Sequence, residues 1–274
     1  MAVIDAASFN RLKILVRDLA GIDLKPGKEA LVSGRLQKRM RDLGIDSFAD
    51  YLDRVERDGA EDEIILMLDA ISTNVTSFFR ETEHFTLLRS QATAWLAEGR
   101  TKLRIWCAAA SSGEEPYTLA MTLLDVIGNR PVDLKILATD ISTRVLEMGR
   151  HGTYSATAVG TVPETLRRRY FTPSADGKLY RVSDEMRQVI TFNRLNLAKP
   201  PYPMKGPFDA VFCRNVMIYF DVPTKQTILR NIRATLHPQG SLMLGSAETT
   251  INLDSSWQSV GLGRATVYQP IGSA

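Results

Sequence analysis

Cysteine, histidine, long apolar runs and strong net charge are all scarce in this chain. Its 274 residues include two cysteines and three histidines, and its net charge is +3. Cys107 and Cys213 lie in separate apolar runs, with no C-x-x-C spacing and no clustered histidines, so no zinc-site pattern is present and no metal is expected. They read as buried free thiols of a protein from a reducing compartment. The small net charge is too weak a footprint for nucleic acid. No apolar run reaches membrane-spanning length, and the first residues, MAVIDAASFNRLK, lack the cationic segment and apolar core of a signal peptide. These absences predict a cytoplasmic protein that neither binds nucleic acid nor inserts into a membrane; it is expected to act as a monomer, an expectation that no sequence feature carries. What remains is ordinary globular composition, 44% hydrophobic and 24% charged, long enough for one large domain or a large and a small one.

Residues 1–75 read as a small all-helical domain. Phe9, Leu12, Leu15, Val16 and Leu19 form a helical stripe that stops at Gly21. After Pro26 and Gly27, a second helix runs through Leu31, Leu36, Met40 and Leu43 to Gly44. Its other face carries Arg35, Lys38, Arg39 and Arg41, which fits either a solvated face or a docking surface for an acidic partner. Ser47 can cap a third helix, and Ile64, Ile65, Leu68 and Ile71 mark a fourth.

The polar stretch from Ser72 to Glu81 follows, with two adjacent phenylalanines. Neighbouring helix positions do not share a face, so one ring is expected inside and the other against a ligand or a neighbouring domain. Asn74, Thr76 and Arg80 could serve one pocket; an interdomain linker capped by Thr76 is the alternative. Residues 103–121, LRIWCAAASSGEEPYTLAM, then read as a buried strand, a small-residue turn and a helix start. Ligands of open α/β sheets bind at such carboxyl ends. A phosphate site wants glycines and bare N–H groups. This turn offers one glycine and the carboxylates Glu114 and Glu115, which suit a cation such as an α-amino group or a sulfonium; both could instead merely complement a helix dipole.

A second buried strand ends in Asp140, placed to accept both hydroxyls of a ribose. Beyond it, Asp176-Gly177 signals a hairpin, and residues 179–182 and 189–193 are expected to pair antiparallel in a β insertion at about 172–193. Phe208 to Phe220 reads as a further sheet strand and its exit, with Arg214 and Asn215 at the carboxyl end. A helix opened by Pro223, a tight turn at His237–Gly240, a strand at 241–245 and an edge strand at 265–268 complete the domain 76–274. His237, away from the proposed site, reads as structural.

Four motifs, in order, resemble the chemotaxis receptor glutamate methyltransferases, the CheR family: N-x-T-x-F-F-R-E at 74–81, W-C-A-A-A-S-S-G-E-E-P-Y at 106–117, A-T-D-I at 138–141 and F-D-A-V-F-C-R-N-V-M-I-Y-F at 208–220. The resemblance implies an α/β fold: a class I S-adenosylmethionine-dependent, Rossmann-like sheet with an N-terminal helical domain and a small antiparallel β insertion. It implies a protein-glutamate O-methyltransferase that makes γ-methyl esters on receptor helices and releases S-adenosylhomocysteine. By motif position Glu115 would hold the cofactor's α-amino group, with Glu114 exchangeable for it, and Asp140 the ribose. Asn196 and Leu197 would flank the adenine. Asn74, Thr76 and Arg80 would close over the cofactor, and Arg214, Asn215 and Tyr219 would line the reactive end.

A glutamate carboxylate is already ionised near neutral pH, so no general base is needed. Arg80 and Tyr219 are the candidates for orienting it. The receptor's helical bundle would dock through Arg35, Lys38 and Arg39. The segment Thr172–Lys178 looks short for a loop that grips a receptor tail, which points to tail-independent binding. Rival readings are the same cofactor with another acceptor, a nicotinamide dehydrogenase, which the missing G-x-G-x-x-G turn opposes, and a non-catalytic signalling adaptor.

Overall fold

The N-terminal helices are α1 (Ala6–Ala20), α2 (Glu29–Asp42), α3 (Phe48–Val55) and α4 (Glu61–Ile71). This is a computed structural model, and it describes residues 3–72, 74–260 and 265–272. Side chains cap the starts of α1 and α3: Asp5 accepts the Ser8 N–H and Ser47 the Asp50 N–H. Gly21, at φ 71°, ends α1 in the left-handed conformation. The inward stripes, including Leu12, Val16, Leu36, Tyr51, Leu52 and Met67, make one buried cluster.

Then come α5 (Glu83–Ala97), β1 (Lys102–Cys107), α6 (Glu114–Ile127), β2 (Asp133–Asp140) and α7 (Thr143–His151). The next stretch holds β3 (Thr153–Ser155), α8 (Ala156–Val159), α9 (Glu164–Tyr170), β4 (Phe171–Pro173), β5 (Leu179–Val182), α10 (Asp184–Val189) and β6 (Ile190–Arg194). The chain finishes with β7 (Phe208–Cys213), a 3-10 turn (Met217–Tyr219), α11 (Val222–Thr235), β8 (Leu236–Leu244), β9 (Trp257–Ser259) and β10 (Thr266–Pro270).

Seven strands form the main sheet in the order β6-β2-β1-β7-β8-β10-β9. Neighbours from β6 to β8 run parallel, and β10 is antiparallel to both β8 and β9. Parallel central strands are covered on both faces, which is why β7 is buried throughout. Two apolar clusters lie on the sheet, one around Leu103, Ile105 and Phe212, the other around Trp106, Val211 and Leu244. The chain reverses strand order between β1 and β7, the place where such sheets open a ligand crevice.

Two expected local structures differ. Residues 179–182 do not pair with 189–193. They form the centre of a separate three-stranded antiparallel sheet, β3-β5-β4, built from residues 153–182. Ser183 caps α10 by accepting the Met186 N–H, and that helix carries the chain across so that Ile190–Arg194 joins β2 in parallel. A short helix hidden between two strand-like runs was the missed signal. Likewise, β8 continues through His237–Gly240 with a bulge against β7, where Phe208 pairs with Leu236 but Ala210 with Ser241.

The helical domain is fastened over the carboxyl ends of the strands. Asp69 of α4 accepts from the Thr143 N–H (3.1 Å), the Thr143 hydroxyl (3.0 Å) and the Arg144 N–H (3.3 Å), closing the start of α7. Asn196 donates to the Leu19 carbonyl, the Asp23 N–H donates to the Tyr219 carbonyl, and Arg17 pairs with Asp221.

Candidate active site

Between the helical domain and the sheet lies a cavity of about 440 Å³, within the range of small-molecule sites. Asn74, Thr76, Arg80, Glu115, Asp140, Asn196, Leu197, Arg214, Asn215 and Tyr219 all line it. Arg35 lines it too; Lys38 and Arg39 do not.

The turn after β1 sets the floor. Ser111 adopts φ 47° and Gly113 φ 100°, so the backbone folds tightly beneath the crevice. A Cβ at Gly113 would meet the Tyr154 hydroxyl at 2.6 Å. Adjacent helix positions point in different directions, and here that separates the two glutamates. Glu115 faces the cavity; Glu114 is buried outside its lining and accepts the Ser112 hydroxyl at 2.7 Å. Burial pushes the Glu114 carboxyl above its ordinary range.

Asp140 closes the end of β2. It accepts the N–H groups of Ser111 (2.9 Å) and Ser142 (3.0 Å). Its burial raises the carboxyl pKa despite these two donors. Across the floor, Arg214 at the end of β7 donates to Glu115 at 2.5 Å and to the Arg80 carbonyl at 2.5 Å, and it pairs with Glu81 at 3.2 Å. The Cys107 thiol donates to the other Glu115 oxygen at 3.2 Å. Each Glu115 oxygen keeps acceptor capacity for a ligand.

Several predicted side chains also bond to the protein itself. Asn196 donates to Leu19 and accepts from the Ala198 N–H, and its backbone carbonyl accepts the Lys199 N–H. The Asn215 amide donates to Glu81 at 3.1 Å. Arg80 donates to the Val75 carbonyl. Asn74 differs: its amide nitrogen is buried without a partner among the described residues. Phe78 is buried against Tyr154 and Phe171, whereas Phe79 packs on Phe85, and neither ring lines the cavity.

Sequence reasoning missed two carboxylates. Glu248, in the turn after β8, is buried and accepts the N–H groups of Gly245 (2.7 Å), Asn215 (2.8 Å) and Ile218 (3.3 Å). It thereby holds Asn215 at φ 57°, in the left-handed region. No local pattern marks this residue. Glu81 ends the first motif, and its contacts become visible only across the interior.

The donor set fits a ligand with a cationic group, a ribose and a flat apolar ring. Glu115 supplies a carboxylate, Asp140 a second, and Ala109, Ile141, Leu195 and Leu197 supply apolar wall. That is the chemistry of S-adenosylmethionine. Among the described residues no cluster of three or more His, Cys, Asp or Glu is arranged to hold a metal ion.

Comparison with known proteins agrees with this geometry. Residues 7–72 match the CheR methyltransferase all-alpha domain, and residues 74–265 match the CheR methyltransferase SAM binding domain. A chemotaxis protein methyltransferase 2 of Pseudomonas aeruginosa is 41% identical over 266 residues, covering 96% of this chain and 92% of its own. The chemotaxis protein methyltransferase of Salmonella typhimurium is 42% identical over 250 residues, covering 90% and 85%. That of Escherichia coli is 41% identical over 251 residues, covering 90% and 86%. With both of its domains matched and its anionic floor suited to the cofactor, the chain belongs to the CheR family and is an S-adenosylmethionine-dependent methyltransferase of chemotaxis.

Proposed function

We propose that this enzyme methylates side-chain carboxylates of glutamates on the cytoplasmic helical bundle of a chemoreceptor, forming γ-methyl esters that tune sensory adaptation. It does so in the cytoplasm, where that bundle lies. The observation that carries this reading is the cation-rich rim of the cavity. Lys25 and Lys28 are exposed lining residues, Arg35 and Arg80 are half-buried ones, and the floor beneath is anionic. A cationic cofactor is drawn to such a floor and an anionic acceptor to such a rim.

When bound, the cofactor supplies a methyl group already activated by its sulfonium. The chain's residues bind and orient. Glu115 holds the α-ammonium group and Asp140 the ribose hydroxyls; Asn196 and Leu197 flank the adenine. Asn74, whose amide nitrogen has no partner among the described residues, Thr76 and Arg80 cover the ligand from the helical-domain side. Arg214 and Asn215 shape the reactive end through their protein partners. Arg80 and Tyr219 orient the acceptor carboxylate and exclude water from it.

The receptor bundle docks along α2. Two arginines of that basic face already have partners within the chain. Arg39 is paired with buried Glu63, which also accepts the Tyr51 hydroxyl. Arg35 donates to the carbonyls of Ile71 and Ser72 at the end of α4. Lys38 is exposed and best placed to meet a partner's carboxylate.

The test is methyl transfer from labelled S-adenosylmethionine to chemoreceptor cytoplasmic fragments, followed by mild alkali. Label released as methanol supports carboxyl methylation. Alkali-stable label would discard the glutamate acceptor, and S-adenosylhomocysteine binding without transfer to any fragment would favour an adaptor.

A further inference from the structure

Arg214 is shared between two carboxylates, and only one of them faces the cavity. Its side chain is 1% exposed, with one nitrogen 2.5 Å from Glu115 and the other 3.2 Å from Glu81. Its guanidinium also sits over the Phe85 ring at 5.3 Å, closed off from water. Glu81 is absent from the cavity lining. We propose that Glu81 is a positioning residue: by holding part of the Arg214 charge, it leaves Glu115 negative enough to bind the cofactor's α-ammonium group. This inference rests on the reading of Glu115 as the ligand of that ammonium.

The charge count is the argument. Glu81, Arg214 and Glu115 together carry one negative charge. Arg214 and Glu115 alone would carry none, and a neutral buried pair attracts an ammonium group weakly. Glu81 must therefore be ionised, with no cation besides the shared Arg214 neutralising it. Burial pushes its carboxyl up, but the Asn215 amide, Arg214 and the Ser246 N–H outweigh it and hold the pKa below its ordinary value. His84 supplies no second cation, because burial and Arg214 both push its imidazole pKa down. The backbone is bent toward this arrangement. Phe79 at φ 56° and Glu81 at φ 55° both adopt the left-handed region, a cost to non-glycine residues that concentrates at functional sites.

Two probes separate this role from a structural one. S-adenosylhomocysteine carries the α-ammonium group; 5′-methylthioadenosine keeps the adenosine and lacks the amino-acid arm. Binding of both is measured by calorimetry to the full chain. Glu81→Gln is expected to weaken S-adenosylhomocysteine about tenfold, as loss of one charge-assisted contact would. Methylthioadenosine should stay within about twofold. Glu81→Ala, read the same way, covers the case in which Glu81→Gln does not fold, and Glu81→Asp should restore most of the preference. Equal losses for both ligands, or an unchanged preference, would overturn the proposal. Glu115→Gln is the reference: if it leaves the preference intact, the reading of Glu115 itself has failed. If it abolishes the preference while Glu81→Gln does not, only the role of Glu81 has.

Discussion

Glu114 and Glu115 are neighbours in sequence and opposites in environment. Glu115 opens to the cavity, while Glu114 is buried behind it with the Ser112 hydroxyl as its side-chain partner. The folded-state pKa of Glu114 is raised by burial above its ordinary 4.5. A raised carboxyl pKa means the fold prefers the protonated form. Its favourable contribution is present below the ordinary pKa and is lost as pH rises through the folded value. Glu114→Gln, which keeps an acceptor for Ser112, should therefore gain on the parent in thermal stability as pH rises above about 4.5, and should leave S-adenosylhomocysteine affinity unchanged. A pH profile matching the parent's would show that burial does not disfavour the ionised Glu114, and lost affinity would show that Glu114 acts in the site. Tyr219→Phe is expected to lower kcat about tenfold with cofactor affinity kept, and Arg80→Ala to lower kcat/KM about a hundredfold. Parent-like turnover of either variant would remove that residue from the chemistry.

At the scale of elements, the most consequential contact is the one between α4 and α7. Asp69 serves as a capping group supplied from another domain, satisfying the Thr143 and Arg144 N–H groups at the helix start. Ser142 already caps the same helix locally, so sequence inspection had no reason to look for a second group. Asp69→Ala should cost about 1–2 kcal/mol in chemical denaturation, because it leaves orphan donors and removes an anion from the positive helix end. Hydrogen exchange at Thr143 and Arg144 should rise with it. A stability loss without faster exchange there would place the cost elsewhere. The β6 edge strand teaches the companion lesson. Its alternation of buried Ile190 and Phe192 is legible in sequence, but alternation is silent about which sheet a strand joins.

For the whole molecule, charge around the cavity is uneven: Lys25, Lys28, Arg35 and Arg80 outnumber Asp23 at the rim, and Glu115 and Asp140 outnumber Arg214 on the floor. Long-range attraction of an acidic helical bundle should then be salt-dependent, while the buried floor is screened far less. Lys38→Glu is expected to raise the acceptor KM severalfold at low salt and to spare S-adenosylhomocysteine binding. Unchanged receptor kinetics would remove α2 as the docking surface. Arg39→Glu is a poor test of docking, since it would set a carboxylate against buried Glu63 and cost on the order of 2–4 kcal/mol of stability.

Local periodicity and turn chemistry determined much by themselves. The helical stripes at Phe9–Leu19, the strand and small-residue turn around Leu103–Gly113, and carboxylates at strand ends follow from spacing within a few residues. Glu115, Asp140 and Arg214 line one cavity because strand ends of one sheet converge, and Asn74, Thr76 and Arg80 reach it from the segment between α4 and α5, whereas Glu114 does not line it. Tertiary structure decided the rest. The Arg214–Glu115 contact spans 99 positions and the Glu81–Ser246 contact 165, and no local pattern encodes a pairing so distant. Which glutamate lines the cavity, which sheet receives Ile190–Arg194, and the gathering of three backbone N–H groups by Glu248 depend on how packed elements exclude water and force buried polar groups to find partners.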